Sequence, residues 1–158
     1  MAELVSLEAA KVAANTKLTN DEALGRLHVV TITSPATAAW AQNDTIASPV
    51  DLPVGTRIVD CTVHHEAMGT SVTMDIGLRA SASVDAAQTV IDVDGIADGI
   101  DVAAAGQTRA INGEYVNVTA TVPIKRTTQV SNIYASLLSA NPDDDQQFRI
   151  DVTVALPG

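Results

Sequence analysis

Cysteine occurs once in the 158 residues, at position 61. A single thiol excludes an intrachain disulfide and a cysteine-based zinc cluster. Its place inside the apolar run RIVDCTV favours a buried, inert group over a reactive one. Aromatic residues are nearly as scarce, with Trp40, Tyr115, Tyr134 and Phe148 making up the complete set. Platforms that stack bases or sugars lean on several aromatic faces, so such sites are disfavoured. Basic residues are few as well: 9 Lys and Arg stand against 19 Asp and Glu, a net charge of −10. Nucleic acid needs a clustered positive footprint and is not an expected partner. No stretch approaches the roughly eighteen apolar residues of a membrane span, and the N-terminus lacks a basic-then-apolar signal pattern. No membrane partner is expected, and the chain is expected to be soluble and made in a cytoplasm.

What is present divides into two parts. Residues 1–24 open with AELVSLEAAKVAAN, rich in the helix formers Ala, Leu and Glu, before Asn15, Asn20 and Asp21 break the pattern. The stretch is short for an independent helix. It reads either as an arm ordered on a partner or neighbouring subunit, or as a helix packed on its own domain. In the first reading Leu4, Val5, Leu7 and Val12 are the candidate partner-binding residues, stabilising by apolar burial. Residues 25–158 are enough for one domain with a core that needs no staples.

From Leu27 onward the apolar period is two. LHVVTIT (27–33), RIVDCTVHH (57–65), SVTMDIGLR (71–79), YVNVTATVP (115–123), SNIYASLLS (131–139) and FRIDVTVAL (148–156) are predicted strands, with weaker signals at 44–48 and 88–93. In the third, Val72, Met74, Ile76 and Leu78 share one face, and Thr73, Asp75, Gly77 and Arg79 the other. Ile133, Ala135 and Leu137, and Phe148, Ile150, Val152 and Val154, form similar rows. Such alternation predicts one buried and one wet face per strand, as in antiparallel sheets laid face to face. No segment between strands suits the helix of a parallel crossover. The expected fold is an all-β antiparallel sandwich, possibly of jelly-roll type, with an N-terminal arm.

Candidate chemistry is thin. IDVDGIADGID (91–101) places four aspartates and two glycines in eleven positions. Counted from Asp92 as an EF-hand loop, Ile96 and Ala103 fall where oxygen ligands belong and the glycine is misplaced. Tandem calcium repeats are absent too. The stretch reads as a strand end followed by surface Gly-Asp turns, with an ion bridged by Asp94, Asp98 and Asp101 left open. NPDDDQQ (141–147) reads as a hairpin turn. His64 and His65 are sent to opposite faces by the strand period and do not chelate one ion comfortably, and His28 reads as a wet-face residue. Neither G-x-S-x-G, nor H-E-x-x-H, nor a glycine-rich phosphate cradle occurs. A carboxylate pair of the glycosidase kind would want aromatics to hold a sugar. No catalytic residue, cofactor or metal site is therefore nominated, and the chain is not expected to be an enzyme.

The order of features is more telling. AQNDTIASPVDLPVGTRIVDCTV (41–63), AMGTSVTMDIGLR (67–79), IDVAAAGQT (100–108), VNVTATV (116–122) and the ending IYASLL…FRIDVTVAL follow one another over about 130 residues. In that sequence of turns and strands the chain resembles the head decoration, or cement, proteins and related small virion structural proteins of tailed bacteriophages. The resemblance implies a non-enzymatic protein on the capsid surface of a virion, bound to the major capsid protein and to copies of itself. A trimer is expected on grounds of shell symmetry alone. The same resemblance is compatible with the base of a head fibre or with a tail or connector component. A calcium-dependent adhesion or lectin-like module is the alternative from a different class.

Overall fold

The computed structural model describes residues 26–36, 39–116 and 125–157. Among them there is no helix, and eight strands follow in order: β1 (Leu27–Thr33), β2 (Thr45–Ala47), β3 (Arg57–His65), β4 (Thr73–Ala80), β5 (Val90–Asp101), β6 (Gly106–Arg109), β7 (Ser131–Leu138) and β8 (Phe148–Ala155). They form two four-stranded sheets, β1-β8-β3-β6 and β2-β7-β4-β5, in which every pairing is antiparallel. The first strand pairs with the last, the second with the seventh, the third with the sixth and the fourth with the fifth. The chain is thus one long antiparallel ribbon with its tip between β4 and β5. Rolling that ribbon brings β8 onto β3 and β7 onto β4.

One core fills the space between the sheets. Ile32, Val63, Ile150 and Val152 enter it from one side, and Met74, Ile76, Leu78, Ile133 and Leu137 from the other. All the inward rows expected for 71–79, 131–139 and 148–156 are buried, each residue at 3 % exposure or less. On β3 the alternation changes phase. The register with β8 shifts between Ile58 and Asp60, so Ile58, Cys61, Val63 and His65 all point inward. Such a bulge inserts one extra residue and flips the parity beyond it. The turn LPVGT before β3 depends on Gly55 at φ +88°, a conformation that favours glycine.

The expectation of one wet face per strand is corrected on the central strands of the second sheet. Asp75 and Gly77 on β4, and Asn132, Tyr134 and Ser136 on β7, point away from the core and are nevertheless buried. The cause is β5. Its pairing with β4 shifts register three times, and the excess chain folds over the outer face of β4. A Cβ on Gly77 would lie 2.1 Å from the carbonyl oxygen of Asp92 and 2.4 Å from that of Val93. Only hydrogen at position 77 lets the two backbones approach so closely.

IDVDGIADGID is therefore strand, not a strand end with turns: β5 runs for 12 residues and includes the whole stretch. NPDDDQQ is not a hairpin either, since it carries the chain from β7 in one sheet to β8 in the other. The strand expected at 115–123 has only its first two residues described. Tyr115 and Val116 lie in a turn, where Tyr115 N–H donates to Gly95 O at 2.8 Å and Val116 N–H to Gly113 O at 3.2 Å. Residues 117–123 fall outside the described part.

Candidate functional site

The outer face of the sheet β1-β8-β3-β6 carries the most organised set of exposed polar side chains. The registers align Thr31, Asp151, Thr62 and Arg109 in one row, and Thr33, Arg149, His64 and Gln107 in the next. All of these but Thr33 and Arg109 line a shallow depression of about 490 Å³, together with Val29, Asp60 and Thr153. Asp151 is its centre. Its Oδ1 accepts from Thr31 Oγ1 at 2.7 Å, and its Oδ2 accepts from Arg149 Nε at 2.8 Å and also from Arg149 Nη2. His64 Nε2 stands 3.9 Å from the same oxygen. Partial burial pushes the Asp151 carboxyl up. The hydrogen bonds from Thr31 and Arg149, with the charges of Arg149 and His64, outweigh it and leave the group below the usual carboxylate range. Nearby, Asp60 Oδ1 accepts from Arg109 Nε at 2.8 Å, which holds that guanidinium charged.

Each carboxylate on this face is thus committed to a guanidinium or hydroxyl. A shallow, open face with paired polar groups is suited to contact with another macromolecule. Sequence reasoning did not nominate these residues. The signal for them was the outward row of each strand, odd-numbered on β1, β6 and β8 and even-numbered on β3, visible only once the register placed four strands side by side.

At one end of the same sheet His65 turns inward, 8 % exposed, as the parity argument for the His64–His65 pair requires. Its Nδ1 lies 3.1 Å from Glu66 O, while Nε2 is buried without a partner. Phe148 beside it packs on Trp40, with ring centroids 5.5 Å apart, and Trp40 Nε1–H donates to Gln146 O at 3.1 Å. Cys61 is fully buried. Burial first, then the charges of Asp60 and Asp151, push its thiol up to about 12, the inert state expected of it.

The aspartates of β5 are spread along the strand rather than gathered. Asp98 exchanges backbone hydrogen bonds with the Asn112 side chain, at 2.9 and 2.7 Å, and Asp101 Oδ1 accepts from Ala103 N–H at 2.9 Å. Asp94 meets Asp92, and the hydrogen bond between those two carboxyls, more than burial, raises Asp94 above its ordinary range. Among the described residues no group of three or more His, Cys, Asp or Glu side chains converges to hold a metal ion. In 141–147 the backbone does the work: Asp143 N–H donates to Met68 O at 2.8 Å, and Gln147 N–H to Glu66 Oε2 at 2.7 Å. His28 is exposed, but it lies in the row of Val30 and Ile32 rather than on the outer face where it was expected. Leu4, Val5, Leu7 and Val12 lie outside the described residues.

No family model matches the chain, and no curated protein matches it significantly. Solved structures do. A chain from the capsid of Ralstonia phage GP4 superposes with a TM-score of 0.63 at 15 % identity, over 84 % of this chain and 85 % of that one. A chain from the cyanophage Pam1 capsid asymmetric unit gives 0.50 at 20 % identity, over 84 % and 86 %. At such identities the likeness is one of fold: the protein shares its β-sandwich, over most of its length, with chains found in two phage capsids.

Proposed function

We propose that the protein is a non-enzymatic structural component of a tailed-phage virion, attached to the outside of the capsid, where it decorates and stabilises the shell. The observation that carries this reading is the superposition with the Ralstonia phage GP4 capsid chain over more than four fifths of both chains. The strand pairing supports the finer fold reading, since a ribbon rolled into sheets β1-β8-β3-β6 and β2-β7-β4-β5 is the double-sheet arrangement of a jelly roll, an architecture recurrent in viral capsid domains. The acidic surface keeps a many-copy protein soluble before it is recruited. The satisfied polar face around Asp151 and the row of Leu4, Val5, Leu7 and Val12 are the surfaces offered to the major capsid protein and to neighbouring copies, a trimer being the oligomer that shell symmetry favours.

The test is copy number, measured by quantitative mass spectrometry of intact particles relative to the major shell protein. One copy per shell subunit, or one trimer per local three-fold, is the expected result. A dozen copies or fewer would move the protein to a vertex, neck or tail, and absence from particles would overturn the reading.

A further inference from the structure

The four sheet edges are not equally guarded. β5, at one edge, carries Asp92, Asp94, Asp98 and Asp101, and its register with β4 breaks three times. Charges and bulges are the usual devices that stop an edge from recruiting another strand. β2 is only 3 residues long and follows Asp44, and β6 is 4 residues long and ends on Arg109. β1 has none of these defences. It is 7 residues long, contains no proline, Asp, Glu, Lys or Arg, and keeps an unbroken register with β8 from Leu27↔Ala155 to Thr33↔Arg149. Among the described residues it pairs on one side only. Leu27 and Val29, on the outer face of this edge, are each 62 % exposed.

We propose that β1 is a contact between copies of this chain, two β1 strands pairing antiparallel about a two-fold axis at Val30. That register sets Leu27 opposite Thr33, Val29 opposite Thr31, and Val30 opposite its own counterpart. Odd-numbered residues meet odd-numbered ones, so both outer faces stay outside and both cores stay inside. The two Val29 side chains become diagonal neighbours on the joined face, which covers apolar surface that each copy exposes alone. Charge selects the occupant. Two chains of net charge −10 repel wherever they meet carboxylate to carboxylate, and β1 brings none to the join. The result is one continuous sheet of eight strands across two copies. The contact does not depend on the capsid reading, although in a shell it would tie neighbouring oligomers together, each link weak and the sum strong.

The experiment uses the full chain with Val29→Cys and Thr31→Cys as separate variants. Cys61 is fully buried and does not compete. Mild oxidation of the mixed variants is expected to give a cross-linked dimer in preference to either variant alone, because only the mixture places two thiols directly opposite. In sedimentation equilibrium the unmodified protein is expected to gain mass in steps of two with concentration. Leu27→Lys with Val29→Lys should lose that step at an unchanged melting temperature, both side chains being exposed. Absence of the mixed cross-link would overturn the proposal, and so would association unaffected by the two lysines. Protection from hydrogen exchange, at every concentration, of the β1 amides that do not donate to β8 would also overturn it, since the edge would then be covered within one chain. None of these failures touches the capsid reading, which rests on copy number in particles.

Discussion

At position 77 the structure asks for a hydrogen atom where sequence patterning sees only a break in an apolar strand. The backbone oxygens of Asp92 and Val93 occupy the space a methyl group would need, and neither is the movable end of a side chain. Gly77→Ala therefore displaces the β5 bulge, at a cost of about 1–3 kcal/mol, and the expected result is a lower melting temperature with the cooperative transition retained. Asp75, two residues earlier, gives a test of the opposite sign. Burial, with the charge of Asp98, raises its carboxyl, while the hydrogen bond from Gly99 N–H at 2.8 Å acts the other way. A carboxyl whose native range lies above its unfolded range binds its proton more tightly when folded. It thus costs stability at neutral pH and costs progressively less as pH falls through the native range. Asp75→Asn keeps an acceptor for Gly99 and removes the buried charge. Its melting temperature should exceed that of the parent at pH 7, with the difference closing as the pH is lowered to about 4. An equal difference at both pH values would mean that charge is not the cause.

Among the elements, those with a sustained β-branched or alternating apolar pattern were legible in the sequence, the bulge within β3 aside. β1, β3, β7 and β8 lie where the patterns at 27–33, 57–65, 131–139 and 148–156 placed them, and the inward rows of β4, β7 and β8 are buried as read. Replacing Met74 or Ile76 by Asp is expected to abolish the folded state, a loss above about 4 kcal/mol, and a variant that melted like its parent would put the register of β4 out by one. What escaped was whatever depends on another strand. β6 is GQTR, with no apolar period at all, and exists because Thr62 to His65 offer it a ladder. Beyond the weak strand signal at 88–93, β5 reads as turns because Asp-Gly pairs signal turns locally. Yet β4 supplies a partner, and the glycines have separate uses: Gly95 lets Tyr115 and the Asp92 side chain come close, and Gly99 adopts φ +61°. The candidate polar face was illegible for the same reason: Thr31, Asp151, Thr62 and Arg109 come from four separate strands and share a row only through register. The dispersal of the β5 aspartates also yields a prediction. Millimolar Ca²⁺ should leave the melting temperature unchanged, and chelator likewise. A strong rise with Ca²⁺ would favour the adhesion-module alternative and require a site that these residues do not form.

On the scale of the whole molecule, the described residues form a sandwich whose core draws on both sheets. The amino-terminal residues differ from the rest in composition, rich in Ala, Leu and Glu where the remainder is rich in Val, Thr and Asp. We propose from that difference an arm that reaches a shell or a neighbouring subunit and gains its apolar burial only on attachment. Deleting residues 1–14 is then expected to leave the thermal transition of the isolated protein in place while lowering the amount retained on particles. Both halves of that expectation matter. Retention equal to that of the full chain would remove Leu4, Val5, Leu7 and Val12 from the attachment surface and leave the polar face around Asp151 as the remaining candidate. A large fall in melting temperature would instead make the first residues a helix packed on their own domain, the other reading of the same composition. Attachment measured together with stability separates the two, since only an arm weakens the first without the second.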